Sequence, residues 1–177
     1  GGSDSGVIID AIDGEIQGAY EAARWNIGRA LFGDGSGKLC TTTSSFSTST
    51  VPVSDTKNLK VGLMVDIYAG AETEPAIART RILAIDNAAK NITISTTPSA
   101  SVAAGFITVQ NSYHRELTGL WAIMNPSNHY LYGVDRQAYP FMFPTQLSAG
   151  HKLDDYLLAT AMDKAERDHN TQIDMYL

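Results

Sequence analysis

The side chains that could carry acid–base chemistry are few and lie far apart along the chain. Four histidines occur, and none of them stands at the spacing of a metal site: His114, His129, His151 and His169. His114 lies close to Glu116, and such a pair could supply the general base and acid of a hydrolase. Because histidines beside carboxylates are common on protein surfaces, we interpret this pair as structural. We therefore expect no enzymatic activity, no catalytic residue, no metal and no cofactor.

The glycine-rich segment at residues 33–38, GDGSGK, contains the glycines and the lysine of a phosphate-binding loop but not their spacing. That loop needs a glycine, four residues and then Gly-Lys-Ser/Thr, and it follows a strand. Here Phe32 stands where the first glycine belongs, and Leu39 follows the lysine. We interpret the segment as a hinge. The adjacent Cys40 has neither a histidine nor a helix start nearby to activate it, so we expect a structural thiol.

The composition is that of a foldable globular chain with acidic character. The chain has 177 residues, of which 44% are hydrophobic and 18% charged, and its net charge is −6. An acidic balance argues against nucleic-acid binding, which needs a basic surface. A single cysteine excludes an internal disulfide and indicates a reducing compartment. No apolar run approaches the ~18 residues that span a bilayer, so we expect no membrane association. The first and last residues, GGS and MYL, indicate an internal piece of a longer protein.

Apolar periodicity predicts the elements that position these residues. In residues 7–32 apolar side chains recur every three or four positions, which predicts one long helix that ends at Gly33. Gly14 and Gly18 weaken it by roughly 1 kcal/mol each relative to alanine. A helix this long with two glycines needs a partner along its length. Residues 1–37 form this helix and its hinge.

Residues 38–110 have a different character, with short Val-, Ile- and Thr-rich runs separated by turn residues. Strands are predicted at residues 51–53, 63–68, 80–85, 92–95 and 106–109. Strands this short and closely spaced indicate a small antiparallel β-barrel or sandwich inserted into a parent domain. The fold class is therefore α+β.

Residues 111–150 combine many aromatic side chains with Gly and Pro, which interrupt both helices and strands. We predict an extended segment whose aromatic area is buried against another surface. Residues 151–177 then predict a helix from about residue 152 to residue 168 and the start of a strand at residues 173–177. Trp, Tyr and Arg dominate the energetics of interfaces, and the interface candidates come from the aromatic segment: Trp121, Tyr132, Asp135, Arg136, Tyr139 and Phe141. For the adjacent Asp135 and Arg136 we favour ion pairs across an interface over a solvated turn.

In combination, several of these segments resemble the major capsid proteins of tailed phages and prophages. The matching residues are 22–25 and 29–37, LKVGLMVDI at 59–67, ELTGL at 116–120 and LYGVDR at 131–136. The resemblance implies the Johnson-type capsid fold with a β-rich insertion domain. In it residues 7–32 look like the spine helix, and residues 151–177 look like the opening of the axial domain. The family's N-terminal arm, extended loop and most of its axial domain lie outside the chain.

The resemblance implies a structural protein that is made in the host cytoplasm and assembles with copies of itself into an icosahedral shell in the virion. Scaffold, portal or decoration proteins would be its other partners. An alternative is a phage tail, baseplate or fibre protein whose β-module binds a host receptor. That alternative predicts trimers and a binding face on residues 38–110.

Overall fold

Helices and an antiparallel sheet are both present in the computed structural model, which describes residues 3–148, 150 and 152–169. The α+β class predicted from the sequence is therefore confirmed. The chain divides into two compact units, Gly1–Gly119 and Leu120–Leu177. The first contains a long helix and a six-stranded sheet, and the second contains short elements and one further helix.

Helix α1 spans Ser3–Phe32, four residues longer at its start than the periodicity predicts. Side chains at residues 9–24 are all exposed, whereas Trp25 and Ala30 pack on the rest of the unit. The helix is therefore held by its last two turns, and about 24 Å of it projects into solvent at 1.5 Å per residue. It ends where Gly33 N–H donates to the Ala30 carbonyl at 3.1 Å.

Six antiparallel strands follow, in the order β1-β6-β3-β4-β5-β2 across one sheet. They are β1 Lys38–Thr41, β2 Thr50–Pro52, β3 Met64–Ala69, β4 Ile77–Asp86, β5 Asn91–Ile94 and β6 Gly105–Val109. The alternate residues that point inward form a fully buried aliphatic core, which includes Val51, Val65, Ile67, Ile82, Ile92, Ile94 and Ile107. Five of the six strands overlap the predicted runs, with ends that differ by at most three residues. Strand β1 was missed because its sequence, KLCT, is short and polar.

The sheet is not a closed barrel, so that part of the prediction is wrong. The edge strands β1 and β2 approach each other only past the end of β1, where Thr42 and Val53 form an isolated bridge. Two backbone hydrogen bonds flank it, from Thr43 N–H to the Pro52 carbonyl and from Ser54 N–H to the Thr41 carbonyl. With only four and three residues, these edge strands are too short for a continuous ladder.

The chain leaves the sheet beside the point where it entered. Glu116 accepts hydrogen bonds from the guanidinium of Arg29 on both carboxylate oxygens, at 2.5 and 2.8 Å, across 87 residues of sequence. Gly119 packs so closely on the end of α1 that a β-carbon there would lie 2.4 Å from the Ala30 carbonyl oxygen. The ion pair and the glycine together fasten the returning chain to the helix.

The second unit is built from short elements: α2 Leu120–Met124, the strands β7 Tyr130–Leu131 and β8 Val134–Asp135, a 3₁₀ turn at Pro140–Met142, and α3 Asp155–His169. The prediction of an extended segment over residues 111–150 is therefore wrong. The glycines and prolines of this segment lie between short helices and strands and allow the chain to turn, so the segment is not extended. Helix α3 starts three residues after the predicted position because Asp154 caps it, accepting the Leu157 N–H at 2.8 Å. The strand predicted at residues 173–177 lies outside the described residues.

Replacing Gly105 with alanine should destabilise the sheet by about 3 kcal/mol or more. A β-carbon at Gly105 would lie 2.0 Å from the Tyr68 carbonyl oxygen and 2.7 Å from the Gly70 nitrogen, both backbone atoms. Urea denaturation followed by circular dichroism measures the effect. Gly14→Ala is the control, since nothing lies within 4 Å of a β-carbon there, and it should be neutral or slightly stabilising. An unchanged unfolding midpoint for Gly105→Ala would contradict the packing described.

Candidate interface surfaces

Arg136 lies at the centre of the second unit, with none of its surface exposed. Within the described part of the chain its guanidinium donates to backbone carbonyls alone: from Nη2 to Ile123 at 2.9 Å and Met142 at 3.1 Å, and from Nη1 to Asn128 at 3.2 Å and Asn125 at 3.4 Å. Its own N–H donates to the His129 carbonyl at 2.7 Å. One side chain thus ties together α2, the loop after it and the 3₁₀ turn.

This arrangement satisfies the helix end and both terminal nitrogens of the arginine, whereas its buried Nε has no hydrogen-bond partner among the described residues. The last carbonyls of a helix have no partner within the helix and carry partial negative charge. The guanidinium supplies donors to them, and it also stacks on Phe143, 4.4 Å from the ring centre. Among the described residues no carboxylate pairs with Arg136, so hydrogen bonds to neutral carbonyls stabilise its buried charge.

The prediction that Arg136 forms an interface ion pair is therefore wrong, because the guanidinium is sequestered inside its own unit. Asp135 lies on β8 and is partly exposed, and its Oδ1 accepts the Gln137 N–H at 2.9 Å. The two residues do face different neighbours, as adjacent residues of a strand should. What the sequence could not reveal is that the neighbours of Arg136 are carbonyls of the same unit.

The aromatic candidates are exposed around this buried centre. Trp121 is 64% exposed, Phe141 71%, and Tyr139 and Tyr132 are more than half exposed. Trp121 lies on α2, whose Ile123 carbonyl Arg136 binds, and Phe141 lies on the 3₁₀ turn, whose Met142 carbonyl it also binds. Arg136 therefore fixes the backbone from which these rings project. Rigid aromatic side chains on a fixed backbone are suited to binding another macromolecule.

Tyr132 occupies an unusual backbone position. Strands β7 and β8 form a hairpin whose two-residue turn is Tyr132-Gly133, with φ of 53° and 80°. Two positive φ values describe a type I′ turn, which prefers Asn-Gly because a larger side chain is strained there. Tyr132 adopts this strained backbone conformation, and its ring lies at the tip of the hairpin.

A second apolar surface, not among the interface candidates predicted from the sequence, runs along helix α1. It consists of six large side chains at intervals of three, four or seven residues, each more than half exposed: Ile9, Ile12, Ile16, Tyr20, Ile27 and Leu31. We refer to these six residues as the α1 stripe. The helical periodicity reveals its existence from sequence, but not that the β-module leaves it uncovered.

Two of the titratable groups considered for chemistry, Glu116 and Cys40, are engaged in the structure, whereas His114 is exposed. Both oxygens of Glu116 bind Arg29, and the His114 ring lies on the Tyr113 ring with centroids 4.1 Å apart. Burial, aided by the negative charge of Asp55, raises the pKa of the Cys40 thiol to about 12, which disfavours the reactive thiolate. Within the described residues no three His, Cys, Asp or Glu side chains gather into a possible metal site.

One polar cavity of about 220 Å³ opens on the sheet, and Arg79, Arg115 and Glu74 are among its lining residues. Arg79 has φ of 55° at an irregularity of β4, and its N–H donates to the buried carboxylate of Asp66 at 2.8 Å. The other oxygen of Asp66 accepts the Asn111 N–H at 2.7 Å. The buried aspartate thus stabilises a strained bulge that presents an arginine at the cavity.

No protein-family profile matches this chain, and no curated protein and no solved structure matches it either. The surfaces described above are therefore the observations from which a function can be argued.

Replacing Arg136 with lysine should destabilise the second unit by roughly 3 kcal/mol, because an ammonium cannot reach four carbonyls arranged around a planar guanidinium. Hydrogen exchange measured by mass spectrometry on peptides spanning residues 120–143 localises the effect. Arg115→Lys is the matched control, since Arg115 is exposed, and it should change stability by less than about 0.5 kcal/mol. Equal exchange in the two variants would show that the buried arginine is not the organising group.

Proposed function

We propose that this chain is part of a major capsid protein of a tailed phage or prophage, with the Johnson-type capsid fold, whose role is self-association into an icosahedral shell. The observation that carries the proposal is the amount of large apolar surface that both units expose. Soluble monomers rarely expose contiguous apolar patches of this kind, whereas obligate assemblies bury them between subunits. The resemblance of residues 116–120 and 131–136 to that family supports the same conclusion.

The contacts made by residues 116–120 and 131–136 support a structural role in a shell. Glu116 and Gly119, in the first segment, fasten the returning chain to α1. Arg136, in the second, organises the unit that displays Trp121 and Phe141. Both segments therefore join elements to one another, which a shell subunit needs in order to hold its contacts in register. Of the groups that could react, Glu116 binds Arg29 and the Cys40 thiol is largely buried. The proposal therefore assigns no enzymatic activity.

The proposal places the protein in the virion after synthesis in the host cytoplasm, with scaffold, portal or decoration proteins as further partners. No helix in the described part of the chain combines the length and the apolar character needed to cross a membrane.

A second candidate is a tail, baseplate or fibre protein whose β-module binds a host receptor. The polar cavity favours it, because a strained arginine, a second arginine and Glu74 lie at one opening on the sheet. Backbone strain of this kind is often retained where a ligand is bound. This candidate requires a trimer and saccharide binding at residues 38–110, and neither follows from the apolar surfaces.

Expression of the complete reading frame that encodes this chain should yield closed shells, visible by negative-stain electron microscopy and sedimenting far faster than a monomer. Burial of the exposed apolar side chains between copies drives the association. Only soluble monomers under every assembly condition would contradict the proposal. A stable trimer that binds saccharide would favour the second candidate.

Replacing Tyr132 with asparagine should separate folding from assembly. Asparagine suits the positive φ of the turn, so the free energy of unfolding should increase by roughly 0.5 kcal/mol. Thermal unfolding should therefore occur at a higher temperature. Shell yield should fall, because an exposed ring is lost from the interface. Tyr156→Asn is a control for the loss of an exposed tyrosine at a position without positive φ, outside the proposed contacts, and it should not raise the unfolding temperature. Unchanged shell yield in Tyr132→Asn would remove this residue from the interface.

A further inference from the structure

The α1 stripe remains open over nearly the whole helix. Its six side chains, Ile9 to Leu31, lie within about 100° of the helix circumference at 100° per residue. The sheet packs on the opposite face of the helix, through Trp25, and Arg29 on that face binds Glu116. Ala30, at the edge of the stripe, is buried beside Gly119 of the returning chain. Since Ile27 and Leu31 stay more than half exposed beside that contact, a second helix could lie along the stripe without meeting the sheet.

The charges of α1 are distributed unevenly along its length. Asp10, Asp13 and Glu15 occupy the first half without a basic residue among them. The second half contains Arg24, Glu21, which lies about 60° further from the stripe than Arg24, and Arg29, which is paired with Glu116. The side chains of Asp10, Asp13, Glu15, Glu21 and Arg24 are exposed, and none of these five forms an ion pair within the described part of the chain. Asp13 and Arg24 lie on the same flank of the stripe, 11 residues apart and therefore about 16 Å apart along the axis.

The direction of a second helix follows from these charges. In a parallel pair the acidic halves of both helices would lie side by side, and each Arg24 would remain about 16 Å away. In an antiparallel pair, residues of one flank face the same flank of the partner. Arg24 then lies within a turn of Asp13 on the other helix, twice by symmetry.

The apolar residues are self-complementary in the same arrangement. With the centre near Tyr20, Ile12 lies opposite Ile27 of the second copy and Ile9 lies opposite its Leu31. The overlap covers 23 residues, or about 35 Å of helix. Gly14 and Gly18 lie away from the contact, on the opposite side of the helix.

We propose that two copies of this chain pair through their α1 stripes as antiparallel helices about a two-fold axis near Tyr20. The inference rests on the proposed function only in that both involve self-association, since a shell could form through the second unit alone. Such an isologous contact closes on itself and gives a dimer. It also explains how a helix that projects about 24 Å from its unit is stabilised, because helices in proteins gain most of their stability from the packing of an apolar face.

Cysteine cross-linking tests the direction and the register. In Tyr20→Cys the two thiols meet at the axis, so mild oxidation should give a cross-linked dimer on a non-reducing gel. Ile12→Cys alone should not cross-link, but a mixture of Ile12→Cys and Ile27→Cys proteins should. The native Cys40 should not cross-link under these conditions, since its thiol is largely buried and its pKa is raised. The unmodified chain under the same oxidant is the control.

Cross-linking of Ile12→Cys with itself would show parallel pairing and overturn the proposal. Failure of both Tyr20→Cys and the mixture of Ile12→Cys and Ile27→Cys to cross-link would also overturn it. Sedimentation equilibrium gives an independent measure: Ile16→Asp should raise the dimer dissociation constant by about tenfold or more. Ala22→Asp, which adds the same charge on the opposite face, should leave that constant within about twofold. Equal effects of the two substitutions would contradict a contact at the stripe.

The two proposals fail separately. Shells assembled from Ile16→Asp protein with undiminished yield, together with absent cross-linking, would overturn the helix pairing and leave the shell function standing. Cross-linked dimers from a complete protein that never forms shells would do the reverse.

Discussion

The ion pair between Arg29 and Glu116 is the constraint on which the first unit depends. It joins the end of α1 to the segment that returns from the sheet, 87 residues later in the chain. Gly119 allows that segment to lie against the carbonyls of the last helical turn. Without this closure the sheet would be joined to α1 only by the entry loop and by the packing of Trp25 and Ala30. With it, entry and exit lie together, and the helix and sheet form one unit.

Buried polar groups perform the same task elsewhere in the molecule. Asp66 fixes a bulge and the chain after β6 through two backbone N–H groups. Arg136 gathers four carbonyls from three short elements. Asp66 binds backbone N–H groups through both carboxylate oxygens, and Arg136 binds backbone carbonyls through both terminal nitrogens. Each group thereby connects segments that are too irregular to form a hydrophobic core. In the second unit Arg136 occupies the centre, and the large apolar side chains lie at the surface.

Local patterns predicted much of the fold and less of the candidate interface. The periodicity of residues 7–32 and the alternating strands specify their own conformations, so α1 and five strands were predicted. The closed barrel and the extended aromatic segment were wrong, because strand closure and the burial of Arg136 depend on contacts distant in sequence. Trp121, Phe141 and Arg136 were predicted as interface candidates, and in the structure the two rings are exposed whereas Arg136 is buried. The sequence could not separate them, since nothing local distinguishes an arginine that binds carbonyls from one that binds a partner.

The central claim is that the exposed apolar surfaces of both units become buried between copies of the protein. Cryo-electron microscopy of particles purified after expression of the complete reading frame tests it most directly. The account predicts an icosahedral shell in whose density Trp121 and Phe141 lie at contacts between subunits. A closed shell with these two rings facing solvent, or the absence of any shell, would contradict it.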